Sequence, residues 1–217
     1  MHFIFEQIKT GGDRNFGYLI GDGKSKAAAL VDPSYNPDAL VDRAKAQGLN
    51  VEYIINTHSH GDHTNGNNTA KELTGAKVAA YHDSYINPDM GLEDNQQLKL
   101  GELVIVIYYT PGHCSDHIVI NIPKYHVAIT GDHLFVGKIG GTSGREDAKT
   151  QFDSLWRLYD EMPEETTVWP GHDVGCRPSS TLALEKASNP FLLAEDFDAF
   201  YNLKNSWASF KAEHGLV

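Results

Sequence analysis

Cysteine, basic charge and long apolar runs are all scarce in this sequence. Its 217 residues include two cysteines, Cys114 and Cys176. So sparse a pair excludes a disulfide framework and favours a reducing compartment. No uncharged apolar run approaches the roughly 20 residues of a transmembrane helix, and the N-terminal segment lacks the regions of a secretory signal. We therefore expect a cytoplasmic protein with no membrane partner.

Positive charge is also in deficit. Eighteen Lys and Arg residues stand against 29 Asp and Glu residues, which gives a net charge of -11. A nucleic-acid partner is disfavoured, because contacts with phosphate need an excess of basic side chains. Most of this negative charge is interpreted as an aid to solubility, and bound divalent metals would neutralise part of it.

The chain shows no internal repeat, no low-complexity tract and no linker, so we expect one domain over residues 1–217. Strand-like and helix-like segments alternate at both ends, with hairpin-like strands between them. This order predicts an α/β fold of mixed sheets covered by helices. Apolar residues such as Phe200, Leu203 and Trp207 recur at helical intervals, which predicts a helix at about 195–213 that docks on the body.

The segment "NTHSHGDHTNG" follows the strand-like run "VEYII" and concentrates titratable side chains. Residues two apart in an extended segment project to the same side, so His58 and His60 can face one metal ion. Asp62 and His63 follow Gly61, which lets the backbone turn, and they can point toward a second position nearby. This loop is therefore predicted to supply ligands to two metal positions.

Three further candidate ligands end strand-like segments, each beside a glycine. His113 lies in "YYTPGHC", Asp132 in "VAITGD" and His172 in "TVWPGHD". With the first loop they make five imidazoles and two carboxylates, enough for two adjacent metal sites if one carboxylate bridges. The set has no thiolate, which indicates zinc, iron or manganese.

The motifs "THSHGDHTNG", "TPGHCSDH", "TGDHLF" and "WPGHD" resemble, in order, the successive motifs of the metallo-β-lactamase superfamily. The resemblance extends over nearly the whole chain. It implies an αββα sandwich of two mixed β-sheets flanked by helices, with the metal-binding loops at one edge.

The resemblance also implies a ligand set. One metal would be held by His58, His60 and His113, the other by Asp62, His63 and His172, and Asp132 would bridge. Asp32 in "ALVDP" corresponds to a buried aspartate near the site in this superfamily, although an Asp-Pro pair is also typical of a turn. His117 and His133 adjoin the motifs and could support the ligands from behind, but the favoured interpretation is that they are ordinary loop residues.

A bridging aspartate resembles glyoxalase II-type thioester hydrolases, whereas two-zinc lactamases typically have cysteine at that position. The resemblance implies a hydroxyacylglutathione hydrolase-like enzyme with two divalent metals, zinc first and iron or manganese as alternatives. A hydroxide between the metals would attack the thioester, with Asp62 or Asp132 orienting it and taking its proton. The substrate would be a small thiol conjugate, of glutathione or of another thiol.

Glutathione recognition stays open. Lys138 could play the part of the basic residue that follows the "GDxLF" motif in glyoxalase II, and Arg145 is a second candidate substrate contact. Val174, however, stands where glyoxalase II enzymes have an aromatic residue.

The alternative is a persulfide dioxygenase of the same fold, whose C-terminal "SST…EK…NP" pattern this chain resembles. Such enzymes hold one Fe²⁺ through the equivalents of His58, His113 and Asp132. The missing "GRTDF"-like segment and the missing tyrosine after Asp173 favour the hydrolase. A metal-binding domain without catalysis, like the diiron flavoprotein modules, is disfavoured because no flavodoxin-like segment is attached. The oligomeric state stays open.

Overall fold

The strand-like segments pair into two six-stranded mixed sheets in a computed structural model, which describes residues 3–215. The first sheet contains, in spatial order, β1 (Phe3–Gly11), β2 (Asn15–Asp22), β3 (Ala27–Val31), β4 (Asn50–Ile55), β5 (Lys77–Tyr81) and β6 (Met90–Leu92). The second contains β7 (Gln97–Leu100), β8 (Leu103–Tyr109), β9 (Ile118–Ile122), β10 (Val127–Gly131), β13 (Thr167–Pro170) and β14 (Ser180–Thr181). A short hairpin, β11 (Leu134–Phe135) and β12 (Lys138–Ile139), follows β10.

The helices cover the outer faces of these sheets. They are α1 (Pro37–Ala46), α2 (Gly61–Thr64), α3 (Asn67–Thr74), α4 (Arg145–Glu161), α5 (Leu182–Ser188) and α6 (Phe197–His214). The last of them occupies nearly the range predicted from the apolar spacing. Its N-terminus is capped by Asp196, whose carboxylate accepts the backbone N–H of Ala199 at 2.8 Å, and it ends at Gly215 in the left-handed conformation.

The period of two in the strands explains the layers. In β2, Tyr18 and Ile20 are fully buried between the two sheets, whereas Leu19 faces the other way and packs under α1 against Leu40. On the far side of the second sheet, side chains of α4 and α6 pack over the strands. The order of layers is therefore helix, sheet, sheet, helix, which confirms the predicted αββα sandwich.

Two parallel pairs of strands position the loops that carry the candidate ligands. Strand β3 runs parallel to β4, and β10 runs parallel to β13. Because the carboxyl ends of parallel neighbours lie at the same edge of a sheet, the segments that follow these strands emerge together.

No helix within residues 3–215 is both long and apolar enough to cross a lipid bilayer.

Asp22, the last residue of β2, links the two sheets at the opposite end. Its carboxylate accepts the backbone N–H of Glu102 at 2.9 Å, the N–H of Lys24 at 3.0 Å and the hydroxyl of Ser25 at 2.8 Å. Led by the bond from Glu102, these donors lower the pKa of Asp22 to about 2. The carboxylate is therefore ionised in the folded protein at every pH above that value.

We expect Asp22→Ala to lower the free energy of unfolding at neutral pH by about 2 kcal/mol, because the two backbone donors lose a charged partner. The folded pKa lies below the unfolded value of about 3.9, so the contribution is complete above that value and disappears as pH falls toward 2. Urea unfolding of the variant and the parent across this range measures it. Asp42→Ala, at an exposed position of α1, is the control and should change little; an equal loss in both variants would contradict the assignment.

Candidate metal centre

Three imidazoles from two loops form the first group of donors. His58 and His60 follow β4, and His113 follows β8. The Nε2 atom of His58 lies 2.9 Å from Nδ1 of His60, which lies 3.1 Å from Nε2 of His113. His113 donates its Nδ1–H to the carbonyl oxygen of Gly141 at 2.7 Å, so its Nε2 lone pair faces the other two rings. One cation could bind all three nitrogens.

A second group lies beside the first, where α2 meets the segment after β13. The Nε2 atoms of His63 and His172 are 3.3 Å apart. The Oδ2 atom of Asp62 is 3.3 Å from Nε2 of His172 and 3.7 Å from Nε2 of His63. Helix α2 begins at Gly61, so the chain turns between His60 and Asp62, and the ring of His63 lies 4.1 Å from that of His58, centroid to centroid. These donors also lie close enough to share one cation.

Asp132 lies between the two groups, directly after β10. Its Oδ2 atom is 3.2 Å from Nε2 of His172 and 3.6 Å from Nε2 of His113, and its Oδ1 atom is 3.3 Å from Nε2 of His63. The structure thus brings together all seven side chains selected from the sequence. The carboxylate occupies the place that a bridging ligand would need.

The donor set fits divalent metal ions. A tetrahedral ion bound at about 2.0–2.1 Å places neighbouring donors about 3.3 Å apart, and the distances within each group are 2.9–3.7 Å. The Oδ1 atom of Asp132 is buried, and apart from Nε2 of His63 at 3.3 Å it has no donor near it within residues 3–215. A buried carboxylate oxygen without a donor is costly unless a cation satisfies it.

Burial keeps part of the first group neutral. Desolvation lowers the pKa of His58 well below its usual value, with a further contribution from His63, and it also lowers the pKa of His113. A neutral imidazole has the free lone pair that a metal requires. These rings are therefore ready to bind a cation at neutral pH.

The second group behaves differently. Burial opposes protonation of His63, but the carboxylates of Asp132 and Asp32 outweigh it and raise its pKa well above the usual value. The pKa of His172 rises to about 10, since hydrogen bonds with Asp132 and Asp62 outweigh burial. Without a metal ion the neighbouring carboxylates favour a proton between these rings, so a bound cation must displace it.

Asp32 contacts the loop after β4, which carries four of the candidate ligands. It is buried, and its carboxylate accepts the backbone N–H of Thr57 at 2.9 Å, the Thr57 hydroxyl at 2.7 Å and Nδ1–H of His63 at 2.8 Å. The last bond fixes the tautomer of His63 and leaves Nε2 directed at the centre. Asp32 also adopts a positive φ of 46°, so it both turns the chain and holds the donor loop.

Asn15, the first residue of β2, and Asp13, in the turn before it, also hold donors, although neither was predicted from the sequence. Asn15 is buried, and its side-chain amide donates to Oδ2 of Asp62 at 3.1 Å. The carbonyl oxygen of Asp13 accepts Nδ1–H of His172 at 2.7 Å. No spacing rule connects these residues to ligands far along the chain, so the sequence offered no signal for them.

Asp116 holds the first group in a similar way. This buried carboxylate accepts the backbone N–H of Ser59 at 3.3 Å and the hydroxyl of Ser84 at 2.5 Å. Ser59 separates His58 from His60, so the bond restrains the backbone between the two imidazoles.

The interpretation of His117 as an ordinary loop residue is wrong. Its Nε2 atom accepts the backbone N–H of Asp132 at 3.2 Å, while its Nδ1 atom lies 2.9 Å from the hydroxyl of Thr110. His117 therefore holds the backbone of Asp132. His133 is also buried, and its ring nitrogens have no hydrogen-bond partner among the described residues.

A cleft of about 430 Å³ is lined in part by residues 174–176, which follow His172 closely in the chain. It lies between the β11–β12 hairpin, the loop after His172 and the C-terminal part of α6. Three cationic and three large apolar side chains line it: Arg14, Lys138, Lys211, Val136, Val174 and Trp207. The chain is acidic as a whole, so this concentration of positive charge next to the centre favours an anionic ligand.

The two predicted substrate contacts differ in position. Lys138 lines the cleft, where burial followed by the charges of Lys211 and Arg14 lowers its pKa. Arg145 instead forms an ion pair with Asp198 and lies over two aromatic rings of α6. Arg145 is therefore engaged in attaching α6 and is not among the cleft-lining residues.

Comparisons with known proteins agree with this geometry. The model of the metallo-beta-lactamase superfamily matches residues 10–172. A hydroxyacylglutathione hydrolase of Maricaulis maris is 31% identical over 84% of this chain and 84% of its own length. The human mitochondrial persulfide dioxygenase ETHE1 is 30% identical over 87% of this chain and 74% of its own. The crystal structure of ETHE1 from Myxococcus xanthus superimposes with a TM-score of 0.87 at 29% identity, covering 94% of this chain and 91% of that one.

We expect Asn15→Ala to weaken metal binding about tenfold, because residues that orient a ligand typically contribute a factor of 10–100. Competition with a chromophoric chelator, using Co²⁺ or Zn²⁺, measures the affinity. Asn68→Ala, at an exposed position of α3, is the matched control. Equal affinity in the two variants would show that Asn15 does not position Asp62.

Proposed function

Because the chain belongs to the metallo-β-lactamase superfamily, we propose that it is a metal-dependent hydrolase that cleaves thioesters of small anionic thiols. The observation that carries this proposal is the carboxylate of Asp132 between two complete groups of donors, within 3.2–3.6 Å of three imidazoles. A hydrolase that activates water between two ions needs this arrangement. The similarity to the Maricaulis hydrolase supports the same reaction class.

We propose two divalent ions as cofactors, with zinc first and iron or manganese as alternatives. The support is that hydrogen bonds orient donors in both groups. Asp32 and Asn15 hold donors of the second group, and Gly141 and Asp116 hold the segments of the first. A mononuclear enzyme would not require the bonds to Asp62. Imidazole and carboxylate donors without thiolate suit all three metals.

Two ions bound there would polarise a carbonyl oxygen and lower the pKa of a shared water from about 15.7 to about 7. The chain itself supplies the proton acceptor. Asp62 is the more accessible carboxylate, with 33% of its side chain exposed, and hydrogen bonding to His172 keeps its pKa well below the usual value. It therefore stays ionised and can orient a water molecule, while buried Asp132 holds the donor groups together.

The cleft supports a thiol conjugate as substrate. A thiolate with a conjugate-acid pKa of about 8.5 leaves without protonation, so no general acid is required. Lys138, Lys211 and Arg14 would attract the anionic groups of such a thiol, and Trp207 and Val174 would contact its apolar part. Of the two substrate contacts predicted from the sequence, we therefore propose Lys138.

We further propose that residues 1–217 form one domain in the cytoplasm. Helix α6 packs on the body through Trp207 and Phe200, whose rings lie 4.8 and 5.9 Å from that of Phe191. Both cysteines are unpaired, as a reducing compartment favours. The ends of the range, residues 1, 2, 216 and 217, lie outside the described residues.

A persulfide dioxygenase is the second candidate, and one observation favours it. The crystal structure of ETHE1 from Myxococcus xanthus covers nearly the whole chain at a TM-score of 0.87. The candidate iron ligands, His58, His113 and Asp132, are part of the same seven donors. Metal number and oxygen consumption therefore separate the two reactions.

Protein purified aerobically and anaerobically should contain two metal ions per chain and hydrolyse S-lactoylglutathione without consuming oxygen. We expect Asp62→Ala to lower this rate at least a hundredfold, since it removes a ligand and the proton acceptor. Metal analysis, thiol release and an oxygen electrode provide the measurements. One iron per chain, with oxygen uptake on glutathione persulfide that survives Asp62→Ala, would establish the dioxygenase instead.

Lys211→Met should raise KM for an anionic thioester about tenfold and leave kcat within about twofold, because the lysine attracts substrate and does not contact the reacting atoms. Steady-state kinetics at two ionic strengths measure the effect, which salt should reduce. Lys45→Met on α1 removes an exposed lysine from the opposite face of the molecule and is the control. An unchanged KM in Lys211→Met would show that the cleft does not bind the substrate.

A further inference from the structure

Lys204 of α6 reaches inward from the helix. Its ammonium group donates to the carbonyl oxygen of Gly140 at 2.9 Å and to Oε1 of Gln151 at 2.8 Å. Burial, with a smaller contribution from Lys138, lowers its pKa to about 8. Both acceptors are neutral, and a lysine directed at neutral backbone and amide oxygens fixes their positions.

The first acceptor belongs to the segment that orients His113. A Cβ atom on Gly140 would lie 1.9 Å from the carbonyl oxygen of Asp132 and 2.8 Å from Nδ1 of His113, so this backbone packs directly on both candidate ligands. The next carbonyl, that of Gly141, accepts Nδ1–H of His113 at 2.7 Å. Any shift of this segment would therefore rotate the His113 ring.

The second acceptor, Gln151, contacts residues that adjoin the same two ligands in the chain. Gln151 is fully buried in α4, and its amide donates to the carbonyl oxygen of His133, the residue after Asp132, at 3.4 Å. Its backbone also packs on Gly112, where a Cβ atom would lie 2.4 Å away. Gly112 directly precedes His113.

We propose that Lys204 is a positioning residue: by holding Gly140 and Gln151 together, it fixes His113 and Asp132, so that the docking of α6 sets the geometry of the metal centre. This inference deepens the proposed function and rests on it for the reaction. The link itself is independent of the substrate. It also means that the last helix contributes to the centre without supplying a ligand.

Lys204→Met keeps an unbranched side chain of similar length and removes the ammonium group, both as a donor and as the cation 5.6 Å from the centroid of the Phe200 ring. In metal-free protein we expect hydrogen exchange of residues 139–142 to accelerate at least tenfold, while α6 keeps its protection. The visible spectrum of the Co²⁺-loaded variant should change, because one imidazole loses its fixed orientation. In the active enzyme kcat should fall about tenfold with KM within threefold.

Lys149→Met is the matched control, since this lysine of α4 is exposed and pairs with Asp153 four residues along; all four measurements should match the parent. If Lys204→Met fails to fold, Lys204→Leu, which also lacks the donors, serves for the same comparison. Unchanged exchange and an unchanged cobalt spectrum would overturn the proposal. A rise in KM alone would also overturn it, since Lys204 would then contact substrate. Hydrogen exchange and the cobalt spectrum are measured without substrate, so their outcome does not depend on whether the hydrolase assignment is correct.

Discussion

The carboxylate of Asp32 is the contact on which the centre depends. It lies at the end of β3, next to the parallel strand β4, and it is almost completely buried. A buried carboxylate must find donors, and Asp32 finds them in Thr57 and His63. One charge therefore fixes the backbone that leads to His58 and the tautomer of His63, which belong to different donor groups. The pairing of β3 with β4 therefore determines, through Asp32, where His58 and His63 lie.

The electrostatics of the site are local and run against the charge of the whole chain. With a net charge of -11, the protein still concentrates cationic side chains around one cleft. Within the centre, burial lowers the pKa of both His58 and His172, but it prevails only at His58. It keeps His58 neutral, whereas at His172 the neighbouring carboxylates overcome it. The same low-dielectric surroundings thus prepare one group for direct metal binding and leave the other holding protons that a metal must displace.

Local pattern and family resemblance made different parts predictable. The strand ends, the H-x-H-x-D-H spacing and the apolar periodicity of α6 each depend on neighbours within a few residues, so the segments that carry the seven candidate donors were predictable from pattern. The αββα layering was predictable from the resemblance of the motifs to the superfamily. Asn15, Asp116 and Lys204 were not, because each acts on a segment far away in sequence. His117 was misjudged for a related reason: its role depends on a bond to Asp132 that exists only once β9 pairs with β10. Long-range polar contacts carry no periodic signature.

Helix α6 shows how one element can tie recognition to chemistry. Its Trp207 and Lys211 line the cleft, while Lys204, one turn before Trp207, holds the Gly140 segment against His113. Since Lys204, Trp207 and Lys211 lie on successive turns of the same helix, a displacement of α6 that widened the cleft would also pull on that segment. The role proposed for Lys204 therefore couples the breadth of the cleft to the orientation of His113, and through α6 the surroundings of the donors become part of what sets their geometry.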